Sequence, residues 1–196
     1  MNEERSGMSG GMMALIGVIV VIVLIVLWAF GTYNSLITAR EEVNSQFSNI
    51  DTQLQRRSDL IPNLVNTVKG YAAHETQVMT QISDARAKLA GATTVEEKAA
   101  ANDELNGALS RLLVVVENYP DLKADSQYTA LMDELAGTEN RIAVARKDYN
   151  DTVQKYNKKI KVFPAVIFAN MFGFDEAQYF QASEGAQTVP TVDFGN

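Results

Sequence analysis

The chain has no cysteine, one histidine, one tryptophan and four prolines in 196 residues. Without cysteine there is no disulfide framework, no thiolate nucleophile and no cysteine zinc site. That absence leaves the compartment open, since a cysteine-free domain is at home on either side of a membrane. Imidazole chemistry has a single candidate, His74, in Ala73-His74-Glu75. Two residues of a zinc-protease HExxH are present there, but Thr76-Gln77-Val78 follows and the second histidine is missing. Prolines fall only at 62, 120, 164 and 190, which leaves long stretches without a helix breaker. Basic residues are in deficit as well, 17 Lys and Arg against 24 Asp and Glu. Setting aside Arg5, Glu3 and Glu4 leaves 16 against 22, so the part behind the N-terminal segment is acidic. Such a surface repels a nucleic-acid duplex, because neutralising phosphates takes a basic patch. The one basic cluster, Lys155 with Lys158, Lys159 and Lys161, lies near a helix end, where it complements the helix dipole without a ligand.

Charge is missing altogether from Met12 to Phe30, MMALIGVIVVIVLIVLWAF. A helix of that length reaches ~28 Å, close to the ~30 Å hydrocarbon core of a bilayer. A helix apolar all round has no face to give to water, so lipid is its solvent. A cleavable signal peptide has a shorter apolar region of about 7–15 residues and a small-x-small cleavage site. This run ends Leu27-Trp28-Ala29-Phe30, with bulk where a peptidase needs small side chains. The expectation is a retained transmembrane helix over 12–30 behind a short polar tail, 1–11. The positive-inside count is close to a tie, Arg5 and the chain's amino group against Arg40, and leaves the side of the soluble domain undetermined with a lean to the cytoplasm.

Behind the span, apolar residues recur in steps of three and four. One series runs Leu36, Val43, Phe47, Ile50, Leu54, Ile61, Leu64, Val68, Tyr71, Val78, Ile82, Ala85, Leu89. A second runs Leu105, Leu109, Leu112, Val116, and a third from Tyr128 through Leu135, Ile142 and Tyr149 to Ile160. These are helical stripes, and no stretch alternates with period two. The fold expected is all-α, with residues 31–174 forming a long-helix up-and-down bundle. Gly91 with Thr93-Thr94 and Glu96-Glu97 marks one boundary, a threonine cap followed by first-turn acids. Asn118-Tyr119-Pro120 marks another, after which Asp125 or Ser126 caps a helix of about 35 residues that ends at Phe163-Pro164. Around Pro62 two readings compete. Asp59 can cap a new helix with proline in its first turn, giving four helices; or the stripe, which passes Pro62 in phase, belongs to one kinked helix of nearly 60 residues. Four helices are expected, since the long helix would leave much of its stripe uncovered. Phe163 to Phe174 is expected to cap the bundle, and 175–196 to form a flexible tail, with no periodicity from Gln181 onward.

No triad, phosphate loop or metal-ligand spacing is present, and no cofactor is expected. Polar residues beside the stripes carry more information. Arg56 and Arg57 precede Asp59, and Arg57 falls on the apolar phase. Glu117, Glu139 and Arg141 offer charges on the later helices. Tyr149-Asn150 and Tyr156-Asn157 stand seven apart on one helical face, where ring inward and hydroxyl outward is the usual arrangement. Ion pairs and caps that fix bundle register are one reading of the set; a docking surface is the other.

Several long motifs then occur in order: Tyr33-Asn34 at the membrane exit, QLQRRSDLIPNLVNTVKGYAAHE from Gln53, ENYPDLKAD from Glu117, ELAGTENRIAVARKDYNDTVQKYN from Glu134, Phe163-Pro164 and the FGF of Phe172–Phe174. Together they resemble the LemA family. The resemblance implies a bacterial single-pass inner-membrane protein with a helical bundle and no established catalytic residues. It also suggests, as a partner to test, an envelope-stress membrane protease of the HtpX type. The function expected is a non-enzymatic, membrane-anchored scaffold that self-assembles or partners a membrane protein. The rival is a hydrolytic or metal-dependent enzyme using His74 and nearby acids. Self-assembly is expected to run along a rod in which Leu36 to Leu54 continue the span's apolar phase and leave a stripe for neighbours to bury.

Overall fold

The computed structural model describes residues 10–181. The end of the N-terminal tail at 1–9 and the tail from 182 onward lie outside the described residues. The described chain is helical, without strands, in the order α1 (Gly10–Tyr71), α2 (Thr76–Gly91), α3 (Val95–Val116), α4 (Pro120–Lys123), α5 (Ser126–Lys161) and α6 (Ala165–Phe172). It divides into two compact units. One comprises Met1–Glu41 with Lys155–Glu176, the other Glu42–Gln154 with Ala177–Asn196.

Local chemistry sets most helix ends. Thr94 and Glu97 form a reciprocal capping box at the start of α3. The Asp125 carboxylate accepts the amides of Gln127 and Tyr128 at 2.8 and 2.9 Å and caps α5. α6 stops at Gly173, whose φ of 69° is a left-handed conformation that suits glycine.

Pro62 does not end a helix. α1 runs through it for 62 residues, so the expected turn at Arg57–Pro62 is absent and the break comes at Ala72–Glu75. Proline removes one amide and leaves the carbonyl four residues back, that of Ser58, without its helical partner. Arg86 on α2 supplies the missing donor: its Nε donates to the Ser58 carbonyl at 2.9 Å. A cavity of about 190 Å³ sits beside the ring, lined by Ile61, Pro62, Val65, Asn66, Ser83 and Arg86. The actual break is fastened by tyrosines. Tyr71 donates its hydroxyl to Asp125 at 2.8 Å, and Tyr119 donates to Glu75 at 3.2 Å.

In the second unit the core takes most of the predicted stripes, Ile50, Leu54, Ile61, Leu64 and Val68 of α1, Ile82 and Leu89 of α2, Leu105 and Leu112 of α3, and Ile142 and Tyr149 of α5, all buried; Val153 joins them, and Tyr71 is exposed. In the first unit, Met12 to Phe30 is exposed along α1, while Leu36 and Ile160 are buried. α1 is the one described helix long and apolar enough to cross a membrane.

Leu36, Val43, Ile50 and Leu54 are all 6% exposed or less. The stripe expected to wait for neighbours is therefore covered within the chain.

Candidate functional site

Arg57 occupies a core position of α1 and is 4% exposed. A guanidinium there requires partners, because an unpaired buried charge is costly. It has three. Nη1 donates to Asn102 Oδ1 at 2.8 Å, Nη2 donates to Asn106 Oδ1 at 2.5 Å, and Glu139 Oε2 lies 2.5 Å from Nη1 as an ion pair. One side chain thus joins α1, α3 and α5. Burial lowers the guanidinium from its ordinary value, and the Glu139 charge opposes that shift. Two polar atoms of this cluster, Arg57 Nε and Asn102 Nδ2, are buried and have no hydrogen-bond partner among the described residues. Nearby, Lys98, also largely buried, pairs with Asp51.

The other residues singled out from the sequence divide by place. Arg56 meets Glu134 at 2.6 Å, and Arg141 reaches Glu134 at 3.1 Å and the Thr138 hydroxyl at 3.0 Å, an exposed network on α1 and α5. Asp59 accepts from Gln55 on the surface of α1 at 2.8 Å and stays out of the cluster. Glu117 pairs with Lys123 at 2.7 Å in an exposed bridge beside α4.

Tyr149 and Asn150 hold the segment that follows α6. Tyr149 is buried against Phe47, ring centroids 5.9 Å apart, and donates its hydroxyl to the Gln178 carbonyl at 2.7 Å. Its hydroxyl is therefore bonded to backbone and does not point to water. Asn150 grips Phe180 from both sides, donating to its carbonyl at 3.1 Å and accepting its amide at 2.9 Å. Phe180 is buried, and Arg146 stacks over its ring at 4.8 Å. Residues 177–181, which the sequence places in a tail, pack as part of this unit. Tyr156 and Asn157 lie in the other unit, both buried; Tyr156 donates to the Asp175 carbonyl at 3.0 Å.

Sequence reasoning missed Asn102, Asn106, Lys98 and Arg86. The signal existed for two of them. Lys98 and Asn102 extend the Leu105–Leu109 stripe backwards in steps of four and three, polar residues on an apolar phase as Arg57 is. His74 stands exposed in the break between α1 and α2. Among the described residues no three His, Asp or Glu side chains gather where a metal could be held.

An all-α protein with one candidate transmembrane helix and a helical domain organised around a buried arginine is the class these features define. The chain belongs to the LemA family, whose model matches residues 46–194. Magnetosome protein MamQ 2 of Paramagnetospirillum magneticum is 30% identical over 182 residues, covering 80% of this chain and 67% of that protein. Magnetosome protein MamQ of Magnetospirillum gryphiswaldense is 28% identical with the same coverage. Protein LemA of Metamycoplasma hominis is 28% identical over 158 residues, 79% of this chain and 71% of its own length.

Proposed function

We propose that the chain is a non-enzymatic, membrane-anchored scaffold of the bacterial envelope, retained by Met12–Phe30 and presenting its helical domain to a membrane-protein partner or to further copies. The observation that carries this reading is where the polar residues go. Arg57, Glu139, Arg56, Arg141, Tyr149, Asn150 and Tyr156 are each engaged in a hydrogen bond or ion pair of the fold itself. Catalysis needs a nucleophile or base held near a reacting atom with something left to react. His74, on which the enzyme alternative rests, is exposed, and the neighbouring Glu75 carboxylate accepts the Tyr119 hydroxyl.

The inner membrane with the domain on the cytoplasmic side is the orientation favoured. Arg40, close behind the span on the side of the domain, is the basic residue that favours it. A membrane protease of the HtpX type is a partner to test on grounds of family. The covered stripe from Leu36 to Leu54 removes one motive for self-association, so copies would have to meet elsewhere. Crosslinking and pull-down of the full-length protein from membranes tests the reading. A specific membrane-protein partner or a defined oligomer is expected. A chain that is monomeric and partnerless, with a phenotype lost in His74→Ala while the fold stays intact, overturns it in favour of an enzyme.

A further inference from the structure

α6 lies beside the end of the span. Phe168 packs edge-on against Trp28 with ring centroids 5.4 Å apart, and Phe172 against Tyr33 at 4.9 Å. Tyr33 also meets Phe174 at 5.9 Å, and Lys159 donates to the Ser35 carbonyl at 2.8 Å. These contacts set the height of α6 along α1. Trp28 is two residues, ~3 Å of helix, inside the end of the apolar run, and Tyr33 is three residues, ~5 Å, beyond it. A bilayer that holds Met12–Phe30 therefore has its headgroup boundary level with α6. Trp28 and Tyr33 are the aromatic pair expected at that depth.

The face of α6 that turns away from α1 has no cover. Ala169 is buried, whereas Ile167 is 51% exposed and Met171 63%, and Phe163, just ahead of the helix, is 76% exposed. Ile167 and Met171 stand one turn apart on the same stripe. The segment from Val162 to Phe174 contains no charged residue at all. Apolar side chains this large and contiguous are not left to water in a stable protein without an occupant.

We infer that α6 is a second membrane element, an interfacial helix that inserts Phe163, Ile167 and Met171 into the bilayer surface beside the span. This rests on the reading of Met12–Phe30 as a transmembrane anchor. The occupant is the acyl–headgroup boundary, reached by apolar burial and not by attraction to anionic lipid. The helix carries no charge of its own, and the nearest basic residue in sequence, Lys161, pairs with Glu176 at 2.7 Å. Insertion at two places adds to Trp28 and Tyr33 a further constraint on the angle at which α1 leaves the membrane.

The absence of cysteine makes the test direct. Full-length protein carrying Ile167→Cys, Met171→Cys, Val21→Cys or Val144→Cys, each with an environment-sensitive fluorophore, is reconstituted in phosphatidylcholine vesicles. Circular dichroism checks the fold of each. Val144, 60% exposed in the other unit, is the aqueous reference. Labels at 167 and 171 are expected to show blue-shifted emission and to lose fluorescence to lipids spin-labelled near the headgroup. A label at 21 loses it to lipids labelled deep in the chain, and a label at 144 only to iodide. Quenching at 21 with labels at 167 and 171 open to iodide sinks the interfacial helix and spares the anchor. No lipid quenching at 21 sinks both. Efficient disulfide formation between copies of unlabelled Ile167→Cys protein under oxidant assigns the face to a second copy and overturns the proposal.

Discussion

The Nε of Arg86 donates to the carbonyl of Ser58 at 2.9 Å, and that is the carbonyl Pro62 leaves without its helical amide. A proline inside a helix costs ~3 kcal/mol, in part through the orphaned acceptor. Here the acceptor is satisfied from another helix, so α1 continues and α2 is tied to it one turn before the proline.

A double-mutant cycle follows from this geometry. Arg86→Ala leaves a part-buried carbonyl unpaired and should cost about 1–3 kcal/mol. Pro62→Ala restores the helical amide for Ser58, so Arg86→Ala in that background should cost clearly less. The interaction energy from chemical denaturation reads the coupling. Equal costs in the two backgrounds would show that Arg86 acts by packing alone.

Arg57→Ala should be the most damaging polar substitution in the helical domain. It strands Asn102, Asn106 and Glu139 around a hole in a buried site. Breaking a buried pair costs about 3–5 kcal/mol; Glu139 keeps 39% of its side-chain exposure, which places this loss near the lower end. Arg57→Met, which fills the volume without charge, should be milder, and milder still combined with Asn102→Leu. Thermal unfolding of the three variants orders them. If Arg57→Met is as damaging as Arg57→Ala, charge and not volume holds the site.

What the sequence made legible is what local rules govern. The stripes, the Thr94 cap, the Asp125 cap and the end at Phe163-Pro164 depend on residues within one turn of each other, and each stands where periodicity and capping chemistry place it. Pro62 defied the local rule because its remedy, Arg86, is distant in sequence. The break at Ala72–Glu75 was hidden because the stripe runs on through it to Val78 and Ile82, and its fastening by Tyr71 and Tyr119 is tertiary. Arg57 is conspicuous as a charge in the apolar phase; of its asparagine partners Asn102 carries the same mark more quietly, and Asn106 does not.

The α3 cap gives a pH signature. The amides of Thr93 and Thr94 donate to the Glu97 carboxylate and hold it at about 2, against an ordinary 4.5. A carboxyl lowered in the folded state contributes stability that is full above the unfolded value and fades as pH falls through 4.5 toward 2. Asp125 is lowered in the same direction, by the Tyr128 amide first and the Tyr71 hydroxyl second. Glu97→Gln should therefore be less stable than the native chain at neutral pH, and the gap should narrow as pH approaches 2. Parallel melting-temperature curves between pH 7 and pH 2.5 would remove Glu97 from the acid response.

Phe47 and Asn150 decide whether the coil after α6 belongs to the fold. Phe47 was a candidate for contact between copies; its ring instead packs on Tyr149, which in turn holds Gln178. Phe47→Asp should therefore lower the melting temperature of the helical domain at any protein concentration, whereas loss of an intermolecular contact would make the effect concentration-dependent. Asn150→Ala removes both bonds to Phe180 and should release residues 177–181 while the helices persist. The expected cost is about 1–3 kcal/mol for the unpaired backbone groups. Hydrogen exchange reads it: the Phe180 amide, which the Asn150 carboxamide holds at 2.9 Å, loses protection, and amides in the middle of α3 do not. If Phe180 stays protected in Asn150→Ala, burial of its ring and the Arg146 stack suffice to dock the coil. If α3 loses protection as well, the coil is not an attachment to the bundle but one of the elements on which its cooperative unfolding depends.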